Sequence, residues 1–345
     1  MQRNKGIDFL KLLFTIMIML FHSGKAFLGG YIAVDFFFIV SGFLMASKMS
    51  NKKSDDNSSL GEDALHFIIH KAIGIFPYYV IAFIFSSITY SLYANLTLNQ
   101  FILKLIKSPY NFFMLEMAGN YDMGFRVRAS WYISAMLISM LVLYPLRKKY
   151  ESVFDNILAP LIFLFFIGYA YQQGKGVGNF VVEYDMNILM YRGLLRSFAE
   201  ISLGCIVYKA TSYLNRKSFN KITYLFIVLL ELFGYIATFI GAYKYKRTDL
   251  DLALIFYLAL SVSITFSNHS FLTKICRSKI YLYFGQLSLM LYLSHEAVRV
   301  YLMRYLHLDS LDTVHFLVCY FVLTFVVGMI IKFIGDRFKL YFKSI

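Results

Sequence analysis

IDFLKLLFTIMIMLFHSGKAF (residues 7–27) is followed after three residues by YIAVDFFFIVSGFLMAS (residues 31–47), and these two runs decide the fold. A helix needs roughly 20 consecutive apolar residues to cross the hydrocarbon core of a bilayer. Both runs approach that length, so they predict two successive membrane spans. The first run has no small-residue cleavage site and leads straight into the second, so we expect a span there rather than a cleavable signal peptide.

The composition of the whole chain points the same way. Of its 345 residues, 59% are hydrophobic and only 16% are charged, against about 45–50% and about 25% in an ordinary soluble domain. So much apolar surface cannot be hidden in one soluble core of this size, and a disordered chain has low hydrophobicity. The three cysteines show neither metal nor disulfide spacing, and no metal is expected.

About ten runs in all are apolar enough to be spans. We therefore predict an all-α fold: a polytopic membrane helix bundle of about ten transmembrane helices, in a single domain over residues 1–345. The longest connection, 94–128, has an apolar middle that is predicted to be re-entrant or interfacial. The predicted spans are 7–27, 31–47, 73–93, 129–146, 153–171, 194–213, 223–243, 252–268, 283–303 and 314–334.

The net charge of +14 comes from 34 Lys and Arg residues against 20 Asp and Glu residues. Apolar runs separate the basic clusters, so basic loops between membrane spans explain this charge better than a nucleic-acid partner does. If the N-terminus is cytoplasmic, most Lys and Arg residues fall on the cytoplasmic side, which predicts that both termini lie inside. Loop 48–71 is then cytoplasmic, and connection 94–128 is outer or re-entrant.

Ionisable side chains inside the predicted spans are the candidate functional residues, because a charge in lipid is costly. Lys11 and His22 lie within about 20° of the same helical face and roughly 16 Å apart along the axis. This pair suits a ligand that threads the membrane, although Lys11 alone is also explained by snorkelling to the interface. Asp35 lies in the second span, where an unpaired carboxylate is expensive. Gly42 in the same span is explained by close helix packing or a bend.

Three more clusters of charged residues occur in predicted spans. The first opens the fourth span and fits either interfacial anchors or an anion-binding site. The second repeats every four residues in the sixth span, so its members share a face that is predicted to line an aqueous cavity. The third, in the ninth span, fits structural anchors or the acceptor side. The clusters are Arg126, Arg128 and Trp131; Arg192, Arg196 and Glu200; and His295, Glu296 and Arg299.

Several short motifs occur along the chain in a characteristic order. They are GIDFLK (6–11), LFH (20–22), VDFFFIVSGFL (34–44), SWYISAM (130–136), YPL (144–146), and LS (287–288) through YL (292–293) to His295. This ordered set resembles the acyltransferase-3 family of integral membrane acyltransferases, and the resemblance spans nearly the whole chain.

The resemblance implies an enzyme that moves an acyl group, usually acetyl from cytoplasmic acetyl-CoA, to a carbohydrate acceptor such as a surface polysaccharide or lipid-linked glycan. The expected location is the bacterial cytoplasmic (inner) membrane, in contact with membrane lipids. The family's arginine–ten residues–histidine motif falls on Lys11 and His22, and lysine keeps the charge but not the bidentate phosphate contact. A later arginine pair of the family falls on Lys71 and Gly74, so the second cation is absent.

A hypothesis for the site follows from the residues and the resemblance together. His22 is the general base on a sugar hydroxyl or the nucleophile that takes the acyl group, and Asp35 orients its imidazole. Cations on the inner side bind the phosphates of the acyl-CoA donor, and the arginines of the fourth and sixth spans bind the donor or the acceptor. The candidate donor-binding residues are Lys11, Lys71, Arg128, Trp131, Arg192 and Arg196.

Other functions stay open on the sequence alone. A transporter or flippase of a glycan or another solute, without acyl transfer, also needs polar groups in its spans, whereas a structural membrane subunit needs no chemistry. The separate membrane-bound O-acyltransferase class carries its key histidine in a later span, so a first-span Lys11–His22 pair argues against that class. The sugar, the acyl chain and the oligomeric state are not fixed by the sequence.

Overall fold

The computed structural model describes residues 3–51, 59–119, 124–173, 176–180, 183–246 and 249–343. Within these ranges the fold is all-α, as predicted, with one β-hairpin whose two strands have two residues each. The helices are α1 Lys5–Ser23, α2 Ala33–Asn51, α3 Leu60–Tyr93, α4 Leu98–Ile106, α5 Pro109–Phe112, α6 Trp131–Lys149, α7 Glu151–Val153, α8 Ala159–Gln172, α9 Arg192–Asn215, α10 Lys221–Lys244, α11 Leu250–Phe266, α12 Phe271–Ile275, α13 Ile280–Ala297 and α14 Thr313–Lys343. The hairpin strands are β1 Tyr184–Asp185 and β2 Met190–Tyr191.

Six helices of the described ranges are long and apolar enough to cross a membrane, and α11 is apolar but shorter. The predicted number of about ten spans therefore stays a prediction. Helices α7 and α8 are joined by a π-helical turn into one span. The six spans are Lys5–Ser23, Gly30–Ser50, Leu60–Tyr93, Glu151–Gln172, Lys221–Lys244 and Thr313–Lys339.

The structure describes parts of both predicted connections, loop 48–71 and connection 94–128. Loop 48–71 is shorter than expected, because α2 continues to Asn51 and α3 begins at Leu60, and its residues 52–58 lie outside the described ranges. Ser59 begins α3 as the N-cap of a capping box with Glu62. Connection 94–128 contains α4, an amphipathic helix with no buried residue that is too short to span a bilayer.

Close packing of α2 against α9 forms the centre of the bundle. A Cβ added at Gly42 would lie 2.1 Å from the carbonyl oxygen of Ile201, and one added at Gly204 would lie 2.2 Å from that of Ile39. Only glycine permits this approach, which confirms the packing explanation for Gly42. The contact brings the charged face of α9 against α2.

Helix α1 packs mainly against α13. Asn4 caps its first turn by accepting a hydrogen bond from the Ile7 amide, and Gly24, at φ 70°, ends it in the left-handed conformation. His22 therefore occupies the last turn of α1. The packing places this turn beside the last turn of α13, where the third charged cluster lies.

Candidate functional site

His22 and Glu296 form a hydrogen-bonded pair between α1 and α13. The Nδ1 atom of His22 lies 2.7 Å from Oε1 of Glu296, whose side chain is only 5% exposed. A carboxylate only accepts hydrogen bonds, so the proton of this bond is on Nδ1 of His22. With Nδ1 protonated, Nε2 is the ring nitrogen that can offer a lone pair to a substrate, as a base or a nucleophile does.

Arg299 holds the other side of the Glu296 carboxylate. Its Nη2 lies 3.1 Å from Oε2 and its Nε 3.3 Å from Oε1 of Glu296, one helical turn away. The carboxylate is thereby fixed between a guanidinium and an imidazole. This arrangement orients the ring of His22 and stabilises a positive charge that develops on it.

His295 lies beside the pair but takes no part in it. Its ring centroid is 5.2 Å from that of His22, and its Nδ1 lies 2.7 Å from the Tyr292 carbonyl oxygen. One ligand atom from each of His22, His295 and Glu296 lies within 4.8 Å of the others, which is the loose geometry of a possible metal group. Because Nδ1 of His22 and Oε1 of Glu296 bind each other, the group is better described as a hydrogen-bonded pair with a neighbouring histidine.

The pair opens onto a cavity of about 300 Å³, which we name the histidine cavity. Its polar lining comes from α1, α6, α9 and α13, from the segments before α2 and α6, and from the turn after α13, so residues far apart in the sequence meet there. Three donor-binding candidates, Arg128, Trp131 and Arg196, line it. The charged and aromatic lining residues are His22, Tyr31, Arg128, Trp131, Arg196, Tyr292, Glu296 and Arg299, with Phe21.

A second cavity, of about 230 Å³, contains the two lysine candidates and is named the lysine cavity. Lys11 and Lys71 both line it, together with apolar side chains such as Val40 and Ile75. Tyr292 lines the lysine cavity and the histidine cavity alike, so its side chain lies where the two meet. The Tyr292 hydroxyl donates a hydrogen bond to the Ala129 carbonyl oxygen, at 2.5 Å.

Asp35 does not contact His22, so the structure gives it no role in orienting that imidazole. Its carboxylate instead binds Arg196, with Oδ1 2.8 Å from Nη2, and both side chains are fully buried. Arg196 also binds Glu200 at 3.0 Å and the Tyr31 carbonyl oxygen at 3.1 Å. A buried carboxylate needs a partner of opposite charge, and Asp35 of α2 finds it in Arg196 of α9.

Arg192 lies apart from both cavities, at the β-hairpin. Its guanidinium binds Asp185 and Glu183, each at 2.8 Å. The Tyr169 hydroxyl and Arg192 donate hydrogen bonds to Asp185 and hold the pKa of its carboxyl at about 2. Arg192 therefore has a local structural partner, and its predicted contact with the acyl donor has no geometric support.

The sequence offered Glu296 only as a structural anchor or as part of the acceptor side, and it did not indicate that Tyr292 lies between two cavities. A carboxylate directly after a histidine in an apolar run was the available signal for Glu296. Its partner is 274 positions away, and helical spacing relates only residues of one helix. Tyr292 belongs to one of the ordered motifs, but nothing in that motif indicates that its side chain lies between two cavities.

Comparison with protein families agrees with this arrangement. The family model described as an acyltransferase domain, that of the acyltransferase-3 family, matches residues 4–333, nearly the whole chain. Comparisons with curated proteins and with solved structures give no significant match. The matched region includes His22, Glu296 and both cavities. The chain therefore belongs to the acyltransferase-3 family and is a membrane acyltransferase.

Proposed function

We propose that this protein transfers an acetyl group from acetyl-CoA to a hydroxyl of a cell-surface or lipid-linked carbohydrate. The observation that carries the proposal is the His22–Glu296 pair in a cavity that meets a lysine-lined cavity at Tyr292. Acyl transfer to a hydroxyl needs a base at the acceptor and cations for the phosphates of the donor. The two cavities offer these groups separately.

The lysine cavity suits the donor. Acetyl-CoA carries phosphates at one end and a thioester at the other, and α1 carries Lys11 and His22 roughly 16 Å apart along its axis. Lys11 and Lys71 bind the phosphates, and the apolar lining near Val40 and Ile75 accommodates the uncharged arm. The thioester then passes Tyr292 to reach His22. With the N-terminus in the cytoplasm of a bacterial cell, which the distribution of basic residues favours, the donor enters from the cytoplasm.

The histidine cavity suits the chemical step. Glu296 accepts a hydrogen bond from Nδ1 of His22, and Nε2 takes the proton of the acceptor hydroxyl as the hydroxyl oxygen bonds to the thioester carbonyl carbon. The carbon–sulfur bond breaks, and the leaving thiolate receives the proton from Nε2. Trp131 lines the cavity and contacts the reacting end of the donor, and Arg128 lines it on the side of the acceptor. Arg196 acts through its ion pair with Asp35 as a positioning residue.

Mass spectrometry of surface glycans tests the function directly. Glycans from cells with the gene should be heavier by one acetyl group than those from cells without it, and the difference should vanish in His22→Ala. A larger mass difference would mean that the enzyme transfers an acyl group larger than acetyl. Equal glycan masses in all three strains would contradict carbohydrate acylation, and transport of an unmodified glycan would become the better account.

The alternative chemical route, in which Nε2 of His22 takes the acyl group itself, makes a different prediction. Purified protein incubated with radiolabelled acetyl-CoA and no acceptor would then retain label that His22→Ala does not. The base mechanism predicts no retained label in either protein.

A further inference from the structure

A third cavity, of about 300 Å³, adjoins the histidine cavity and is rich in basic residues. We name it the arginine cavity. Lys104 of α4 and two arginines of the segment before α6 supply its charges, and aromatic rings of α3 and of the turn after α13 supply much of the rest. The charged and aromatic lining residues are Tyr90, Lys104, Phe125, Arg126, Arg128 and Tyr301. Among the residues that the structure describes, the lining includes no carboxylate.

The charge of this cavity rests on Lys104 and Arg128. Within the described ranges neither residue forms an ion pair, whereas Arg126 interacts electrostatically with Glu116. Lys104 lies over the rings of Tyr90 and Phe125, with Nζ 4.8 and 6.0 Å from their centroids. These cation–π contacts hold the ammonium in place without neutralising it. A concave site with uncompensated positive charge attracts an anion.

Arg128 joins this cavity to the catalytic one. It lines both the arginine cavity and the histidine cavity. A substrate whose anionic group is held at Lys104 and Arg128 therefore places a nearby hydroxyl of the same molecule at His22. The lysine cavity already offers cations for the phosphates of the donor and does not share Arg128, so the arginine cavity is free for the second substrate.

We propose that the arginine cavity binds a phosphate or pyrophosphate group of the acceptor, so that the acceptor is a phosphate-bearing glycan rather than a neutral one. The proposal rests on the function proposed above. Tyr90 and Tyr301, whose ring centroids are 5.3 Å apart, provide aromatic edges beside the anion for a sugar or a lipid tail. The same phosphate chemistry belongs to anionic lipid headgroups, and the test separates the two sources.

Inorganic pyrophosphate, titrated calorimetrically into the purified full chain in uncharged detergent, is the probe. Lys104→Gln should weaken its binding by about tenfold, the loss of one charge-assisted contact, while Lys104→Arg should retain it. Lys71→Gln is the matched control: it should weaken only the separate binding of pyrophosphate at the donor's phosphate site in the lysine cavity, and leave unchanged the binding event that Lys104→Gln weakens. His22→Ala should leave both unchanged. If Lys71→Gln removes the binding and Lys104→Gln does not, the anion occupies only the lysine cavity and the proposal is wrong.

Two further measurements identify the source of the phosphate. Glycan acylation in cells should fall by about tenfold in Lys104→Gln and recover in Lys104→Arg; wild-type acylation in a variant that no longer binds pyrophosphate would overturn the acceptor assignment. Pyrophosphate binding should also persist in phosphatidylglycerol vesicles as in phosphatidylcholine vesicles. If phosphatidylglycerol abolishes it, a lipid headgroup fills the cavity and the acceptor does not. Because binding is measured without turnover, a failed acylation assay with intact binding would count against the proposed function instead.

Discussion

Nδ1 of His22 lies 2.7 Å from Oε1 of Glu296, across the contact between the last turns of α1 and α13. Arg299 fixes the carboxylate from its other side. Two helices far apart in the sequence thus place a carboxylate against an imidazole, which supports the base mechanism proposed above. The residue that orients the imidazole comes from α13, and α2 supplies a separate buried ion pair.

Glu296→Gln should lower the rate of acyl transfer by about 10²- to 10⁴-fold with little change in the KM for the acyl donor. The amide nitrogen of glutamine donates a hydrogen bond, which favours the tautomer with its proton on Nε2 and removes the lone pair that accepts the hydroxyl proton. Steady-state kinetics of the purified protein measure the effect. Glu296→Asp keeps the charge and is the control, with a smaller loss expected. A wild-type rate in Glu296→Gln would show that the pair does not act in catalysis.

The sequence predicted the helical class, and close packing was one of its two explanations for Gly42, because each is a property of one helix or of one apolar run. For His22 it named Asp35 as the orienting carboxylate, whereas the structure places Glu296 there. Asp35 and Glu296 are both acidic residues in apolar runs, and the choice between them depends on how α1 packs against α13 and α2 against α9. That packing is set by the shapes of many side chains together, and the periodicity of a single helix carries no information about it.

Asp35→Asn should lower the stability of the protein, because it leaves the buried guanidinium of Arg196 without its full countercharge. Breaking a fully buried ion pair from one side costs about 3–5 kcal/mol. Thermal unfolding in detergent should show a marked fall in Tm for Asp35→Asn and for Arg196→Gln alone. The double variant should lose less than the sum of the two, since no unpaired charge remains from this pair. Additive losses would mean that the two side chains are not coupled.

We expect the ionisation of Asp185 to make the stability of the fold depend on pH, separately from catalysis. Hydrogen bonds from Tyr169 and Arg192 hold its pKa at about 2 in the folded protein, below the value of about 3.9 in an unfolded chain. A lowered pKa stabilises the fold above the unfolded pKa, and this contribution is lost as the pH falls from about 4 to about 2. The Tm difference between wild type and Asp185→Asn should therefore be constant from pH 5 to 8 and shrink below pH 4. A difference that does not change down to pH 2 would contradict this account.

Lys11→Gln should raise the KM for acetyl-CoA by about tenfold and leave kcat nearly unchanged, because a phosphate contact far from the reacting carbon binds the ground state and the transition state alike. Lys11→Arg restores the charge and should keep the KM near that of the wild type or lower it, since arginine binds phosphate in a bidentate manner. The wild-type KM should also rise with salt concentration more steeply than that of Lys11→Gln. A large fall in kcat for Lys11→Gln, with an unchanged KM, would place Lys11 at the chemical step instead.

Gly42→Ala should separate α2 from α9 and destabilise the bundle. The new methyl group would lie 2.1 Å from the carbonyl oxygen of Ile201, far inside van der Waals contact, and overpacking of a rigid backbone contact costs about 1–3 kcal/mol. The shift also moves Asp35 relative to Arg196, so activity should fall together with Tm. Gly168→Ala is the matched control: Gly168 lies in α8 with nothing within 4 Å of the added Cβ, and Tm should stay unchanged or rise slightly because alanine favours a helix. Equal Tm values for the two variants would show that the helices have room to adjust at Gly42, and that their close approach does not hold the ion pair in register.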